Sequence, residues 1–150
     1  PFGIRAMDSM RLEKSYRLIP REMSIEYSAF ESGLDRFVKL DKQEDFIGKT
    51  SLLEWKSRGF DNGFVTLEVL GVTDADARGS EAIYQNGEIV GRATSGGYGW
   101  RCEKSLALGI VRLDLTKIGT NLDIEILGEK YKAVVIDESP FDPANECLRS

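Results

Sequence analysis

Apolar and polar residues alternate along most of the chain after residue 63, and a period of two puts successive side chains on opposite faces of an extended strand. Val65, Leu67 and Val69 alternate with Thr66 and Glu68. The runs Ala82-Ile83-Tyr84 and Glu88-Ile89-Val90 bracket Asn86-Gly87. An Asn-Gly pair between apolar runs is a strong hairpin signal, because both central residues of a type I′ turn need positive φ. From Ser105 to Leu113, Leu106, Leu108 and Ile110 share one face while Ala107, Gly109 and Val111 share the other, as in a strand covered on both sides. Leu122, Ile124 and Ile126 alternate with Asp123 and Glu125, and Gly128-Glu129 turns the chain into Tyr131, Ala133 and Val135. Six strands within about 75 residues predict a closed or nearly closed antiparallel barrel over residues 60 to 140.

The first 58 residues follow a different pattern. Ile4, Met7 and Met10 recur at three-residue spacing within Gly3 to Tyr16, which predicts a half-buried helix, and Pro20 ends it. Arg36-Phe37-Val38-Lys39-Leu40 alternates and reads as a short strand. Ser51 followed by Glu54 forms a capping box for a short helix, with Gly59 placed for a left-handed residue at its end. The expected organisation is an α+β unit over 1–58 that includes a connector helix, then a β-barrel over 59–150, mainly β overall. The tail Asn145 to Ser150 is expected to fray. The opening Pro1-Phe2-Gly3, without an initiator Met, suggests a piece of something longer whose earlier residues complete the first unit.

Composition narrows the function. Histidine is absent. That removes Ser-His-Asp and Cys-His chemistry, the usual zinc and haem ligands, and the commonest general base near neutral pH. Net charge is -5, and basic residues are scattered among acids, so nucleic acid is not an expected partner. No apolar run approaches the roughly 20 residues of a membrane-spanning helix, and no membrane partner is expected. Cys102 and Cys147 have no metal or redox spacing and read as reduced thiols in a cytosol-like compartment, with a disulfide the lesser alternative.

Three segments carry candidate chemistry. Glu13 lies five residues after Asp8, so the two leave the helix on different sides and are not an acid/base pair. By pattern Glu13 is a solvated carboxylate; the alternative is a carboxylate accepting two hydrogen bonds from a planar, amidine-like ligand edge. The glycine-rich run Gly91 to Trp100 lacks the Lys and following helix of a phosphate loop and reads as a wide turn or bulge, with Tyr98 and Trp100 on a surface groove. Lys39, Asp41, Lys42, Glu44 and Asp45 form a mixed-charge loop from which one Lys could meet a ligand carboxylate.

Four segments together resemble the glycine-cleavage aminomethyltransferase family. Gly3-Ile4-Arg5-Ala6-Met7-Asp8-Ser9-Met10-Arg11-Leu12-Glu13 is similar to G-x-x-A-x-D-S-L-R-L-E, and Phe30-Glu31-Ser32-Gly33-Leu34 to P-x-E-A-G-L. Lys39-Leu40-Asp41-Lys42 with Asp45-Phe46-Ile47-Gly48-Lys49 resembles K-L-D-K-x-x-D-F-I-G-K, and Thr94-Ser95-Gly96-Gly97-Tyr98 resembles T-S-G-G-Y. The wording is most similar to the tails of dimethylglycine and sarcosine dehydrogenases. The resemblance implies a tetrahydrofolate-dependent one-carbon enzyme that moves a methylene group from an N-methylated glycine derivative. This chain would form one wall of the folate channel and pack against absent N-terminal domains. FAD would belong to an upstream domain. The family's catalytic Asp also lies upstream, so no catalytic residue is assigned here and the isolated chain is expected to be inactive. Glu13 matches the family's pterin-holding Glu, and Lys42 falls where many members carry an Arg near the folate tail. Glu146 and Cys147 replace family tyrosines after Pro140 to Asn145, which favours a dehydrogenase tail. The implied compartment is the cytoplasm, or the mitochondrial matrix in a eukaryote. The alternative is a non-catalytic folate-binding or structural barrel module.

Overall fold

The structure, a computed structural model, describes residues 2–150. Six strands form a closed antiparallel barrel: β1 (Asn62–Leu70), β2 (Ala82–Gln85), β3 (Glu88–Gly99), β4 (Lys104–Arg112), β5 (Asn121–Ile126) and β6 (Glu129–Ile136). Around the barrel the order is β1-β4-β3-β2-β5-β6, and β1 closes it by pairing with both β4 and β6. Closure leaves no strand edge without a partner. Asn86 and Gly87 take positive φ of 52° and 85° and join β2 to β3 as the Asn-Gly pair predicts.

Period-two alternation sorts the strands into two apolar clusters. Val65, Leu67, Ala107, Val111, Ile124 and Val135 meet inside the barrel. Leu106 and Leu108, on the other face of β4, pack outside it against Leu12, Phe64 and Ile136. That second cover explains why every residue from Leu106 to Val111 is buried. It comes from α1 (Ile4–Glu13), which lies against β3 and β4.

The structure departs from the sequence pattern in several places, most of them before β1. The Ile4, Met7 and Met10 stripe is not the buried face of α1: Ile4 is 72% exposed, and the helix buries Leu12 and Glu13 in its last turn. Arg36 to Leu40 forms no strand. Asp35–Phe37 is a 3-10 turn, since all six strands pair among themselves and none is left to accept this segment. Helix α2 (Lys49–Arg58) begins before the proposed cap: Ser51 lies in its first turn, and Gly48 in a left-handed conformation precedes it without a side-chain cap. Gly59 does end α2 with positive φ, 89°. The glycine-rich run Gly91 to Gly99 is neither a phosphate loop nor a wide turn. It belongs to the barrel as the body of β3, and the bulge that the sequence offered as the alternative to a turn is present between Ala93 and Ser95.

The segment leading into the tail makes specific contacts with the end of α1. The Phe141 N–H donates to the Glu13 carbonyl, Lys14 Nζ donates to Asn145 Oδ1 at 2.8 Å, and a short helix α3 (Glu146–Arg149) follows. Both cysteines are free thiols, and among the described residues no helix is long and apolar enough to cross a membrane.

Leu12→Ala is expected to cost about 2–5 kcal/mol in urea unfolding of the chain, because the side chain is sealed between helix and barrel. Met7→Ala, on the exposed stripe, is expected to stay within about 0.5 kcal/mol.

Candidate functional site

The residues before β1 carry most of the buried polar side chains. Glu13 is 3% exposed, so the solvated reading of its carboxylate is overturned. Its Oε1 accepts hydrogen bonds from the consecutive backbone N–H groups of Arg101 and Cys102, and the Cys102 thiol lies 3.6 Å away. A carboxylate that receives two parallel donors here ties the end of α1 to the turn between β3 and β4. The approach is close enough that a Cβ on Gly99 would sit 2.7 Å from Cys102 Sγ and 3.0 Å from Glu13 Cγ. No hydrogen bond to Oε2 is found among the described residues, and no buried polar atom there lacks a partner, so Oε2 keeps some access to solvent.

Burial pushes the Cys102 thiol up, and the Glu13 charge beside it adds to the shift. The thiolate is disfavoured, which lowers the reactivity of Cys102.

Lys42 stands apart from Glu13. It lies in the loop before α2, its ammonium 4.0 Å from Glu44, and no bond or ion pair joins it to Glu13 among the described residues. Its backbone carbonyl instead accepts from Lys49.

Sequence reasoning missed three charged side chains. Glu22 is completely buried: Thr94 and Ser95 hydroxyls each donate to Oε1 at 2.6 Å, and the Leu18 N–H donates to Oε2 at 2.8 Å. Arg11 lies 3.7 Å from Oε2, donates to Ser95 Oγ and pairs with Asp8. Arg17 donates to the carbonyls of Ser15, Ser32 and Gly33 and to Glu138, with its guanidinium over the Phe64 ring. No periodicity signals such residues, because they lie in or beside an irregular segment whose contacts are far away in sequence.

A cleft of about 430 Å³ opens where this segment meets the tail, lined by Lys14, Tyr16, Arg17, Arg36, Phe37 and Asn145 among others. Tyr16 and Phe37 are exposed aromatic rings, and Lys14, next in the chain to Glu13, and Arg36 supply positive charge. Two acids temper it: Glu138 pairs with Arg17 and lies 3.8 Å from Arg36, and Asp142 is 3.9 Å from Lys14. Exposed rings beside cations suit a ligand with a planar ring and an anionic tail.

Glu22→Ala is expected to lower stability by roughly 3–5 kcal/mol in chemical denaturation, because it leaves the buried Thr94 and Ser95 hydroxyls and the Leu18 N–H without their acceptor and removes one of the two carboxylates beside Arg11. At mildly alkaline pH Cys102 should alkylate more slowly than the exposed Cys147, and Glu13→Gln should speed Cys102 by removing the neighbouring charge. Mass spectrometry of each thiol over time reads both rates.

Residues 63–142 match the family described as the glycine cleavage T-protein C-terminal barrel domain, and residues 1–42 match the GCVT N-terminal domain. Mitochondrial dimethylglycine dehydrogenase of Homo sapiens is 42% identical over 137 residues, covering 91% of this chain and 16% of that protein. An aminomethyltransferase of Synechocystis sp. is 38% identical over 136 residues, covering 91% of this chain and 36% of that protein. A crystal structure of glycine cleavage system aminomethyltransferase T from Bartonella henselae superposes with a TM-score of 0.83 at 27% identity, over 94% of this chain and 39% of that one. The chain thus spans well under half the length of these relatives, and with its barrel matched from Gly63 to Asp142 it belongs to the glycine cleavage T-protein family.

Proposed function

We propose that this chain is the C-terminal part of a tetrahydrofolate-dependent one-carbon enzyme, of the dimethylglycine dehydrogenase or aminomethyltransferase type, and forms one wall of its folate channel. The observation that carries the reading is the cleft lined by Lys14, next in the chain to Glu13, where Tyr16 and Phe37 offer ring faces and Lys14 and Arg36 offer cations. Tetrahydrofolate has complementary chemistry: a pterin with a planar pyrimidinone half, an aromatic linker and a carboxylate tail. The folate, when bound, supplies the nitrogen atoms that carry the one-carbon unit. The residues of this chain bind and orient it and exclude water from one side.

Within this reading Glu13 accepts hydrogen bonds from the pterin edge through Oε2 while Oε1 stays on Arg101 and Cys102. Lys42 meets the folate tail as a point charge, with Arg36 the better placed cation because it already lines the cleft. Residues 1–58 are the end of the folate-binding subdomain and 59–150 the barrel. The exposed Phe2, Ile4 and Met7 side chains are the surface on which the rest of the N-terminal domain packs. The N-methylated amino acid substrate, and FAD in the dehydrogenase case, belong to those upstream parts, and the chain alone is inactive. The compartment is the cytoplasm, or the mitochondrial matrix in a eukaryote.

A second reading, a structural barrel that turns over no folate, is favoured by one observation: Glu13 Oε1 and the Arg17 guanidinium bond to groups of this chain. Glu13→Gln separates the two, since the amide oxygen can still accept from Arg101 and Cys102 while the charge is gone. In the longer protein that this reading implies, Glu13→Gln should weaken tetrahydrofolate binding by roughly 10- to 100-fold in calorimetry with the melting temperature nearly unchanged. Unchanged affinity would take Glu13 out of the site. Failure of Arg36→Ala to weaken binding as well would take away the cleft.

A further inference from the structure

Tyr98 and Trp100 carry a feature that folate binding does not use. With Asp74, Asp76 and Ser105 they line a cleft of about 460 Å³ between the loop after β1 and the end of β3. The two rings meet edge to face with centroids 4.9 Å apart, and Trp100 is 77% exposed. Tyr98 is 38% exposed, so the two adjoining rings form a continuous aromatic surface at the cleft.

The cations near the cleft in sequence point elsewhere. Lys104 bonds Glu68, Arg101 lies over the Phe141 ring, and Arg78 lines a different cleft with Arg21 and Arg92. No ion pair reaches Asp74 or Asp76 among the described residues. The cleft therefore combines exposed π faces with two acidic side chains and has no internal cation to neutralise them. Both features favour the same guest, because ring quadrupoles and carboxylates attract a positive charge while the indole face also packs against apolar carbon. Burial pushes the Tyr131 phenol up, and the charges of Glu129 and Asp74 add to it, in keeping with a negative field on this side of the barrel.

We infer that this cleft binds the head group of an alkylammonium, as found on a methylated amine or at the end of a lysine side chain. An amino acid such as dimethylglycine is a poor guest, because its own carboxylate meets those of Asp74 and Asp76. The inference stands apart from the folate reading and survives if that reading fails.

The test is a titration of the whole chain with tetramethylammonium chloride and, separately, Nα-acetyl-lysine amide, each against sodium chloride at equal ionic strength. The chain has two tryptophans, so in proton–nitrogen NMR the Trp100 indole N–H should shift in a saturable way while that of Trp55 stays fixed. Asp74→Asn with Asp76→Asn, both on an exposed loop, should weaken binding by about tenfold, and Trp100→Leu should do the same in calorimetry. Tighter binding of tetramethylammonium identifies free methylated amines as the guests; tighter binding of the lysine amide identifies a lysine of a partner chain. Three results would overturn the inference: no saturable shift with either probe, binding that persists in the Asn variant, or dimethylglycine bound as tightly as tetramethylammonium.

Discussion

Glu22 and the groups around it hold the irregular segment against the barrel. Burying an isolated carboxylate is costly, and the cost is offset only if strong donors replace the lost water. Thr94 and Ser95 provide two of those donors from the bulge in β3, the Leu18 backbone provides a third, and Arg11 brings the opposite charge from α1. One buried oxygen pair therefore fixes three things together: the path of residues 18–22, the seat of α1, and the phase of β3 at its irregular point. The Thr-Ser-Gly-Gly segment that carries the family resemblance has a physical explanation here. Its two hydroxyls are ligands for a carboxylate, and its glycines let the loop before β2 and the helix come close. A Cβ at Gly96 would stand 2.4 Å from the Ala77 carbonyl oxygen, and one at Gly97 would stand 3.1 Å from Leu12.

Arg17 does the same work on the other side of the segment. Its planar fork reaches three backbone carbonyls and the Glu138 carboxylate, so it organises a stretch with no regular structure to satisfy those groups. Glu31 acts similarly, accepting from the Ser28 N–H and hydroxyl. Residues 14–34 are thus ordered by buried side-chain hydrogen bonds and not by a helix or sheet ladder. The position of this segment sets the cleft between Tyr16, Phe37 and the tail. Glu13 sits on the boundary, with one carboxylate oxygen fastening the turn after β3 and the other retaining access.

The barrel could be read from the chain because its interactions are local in pattern: alternation needs only neighbours, and the Asn-Gly turn needs only two residues. For the same reason α2 could be anticipated, although its start was displaced by Gly48. The apolar stripe of Ile4, Met7 and Met10 misled because a helix pattern reports that a face is apolar, not that this chain covers it. Arg36 to Leu40 alternates well enough for a strand but finds no partner, and alternation without pairing has no ladder to stabilise it.

What the sequence by itself determined was the closed antiparallel barrel and the family to which it belongs, since each depends on residue types in fixed order and spacing along the chain. Only the tertiary structure decided that Glu13 is buried and bonded to Arg101 and Cys102, that Lys42 lies apart from it, and that Glu22, Arg11 and Arg17 form the buried charge framework. Those pairings join residues up to 121 positions apart. Neither periodicity nor composition encodes which distant groups will meet, because burial of a charge is stabilised only once the whole fold has brought its partners into place.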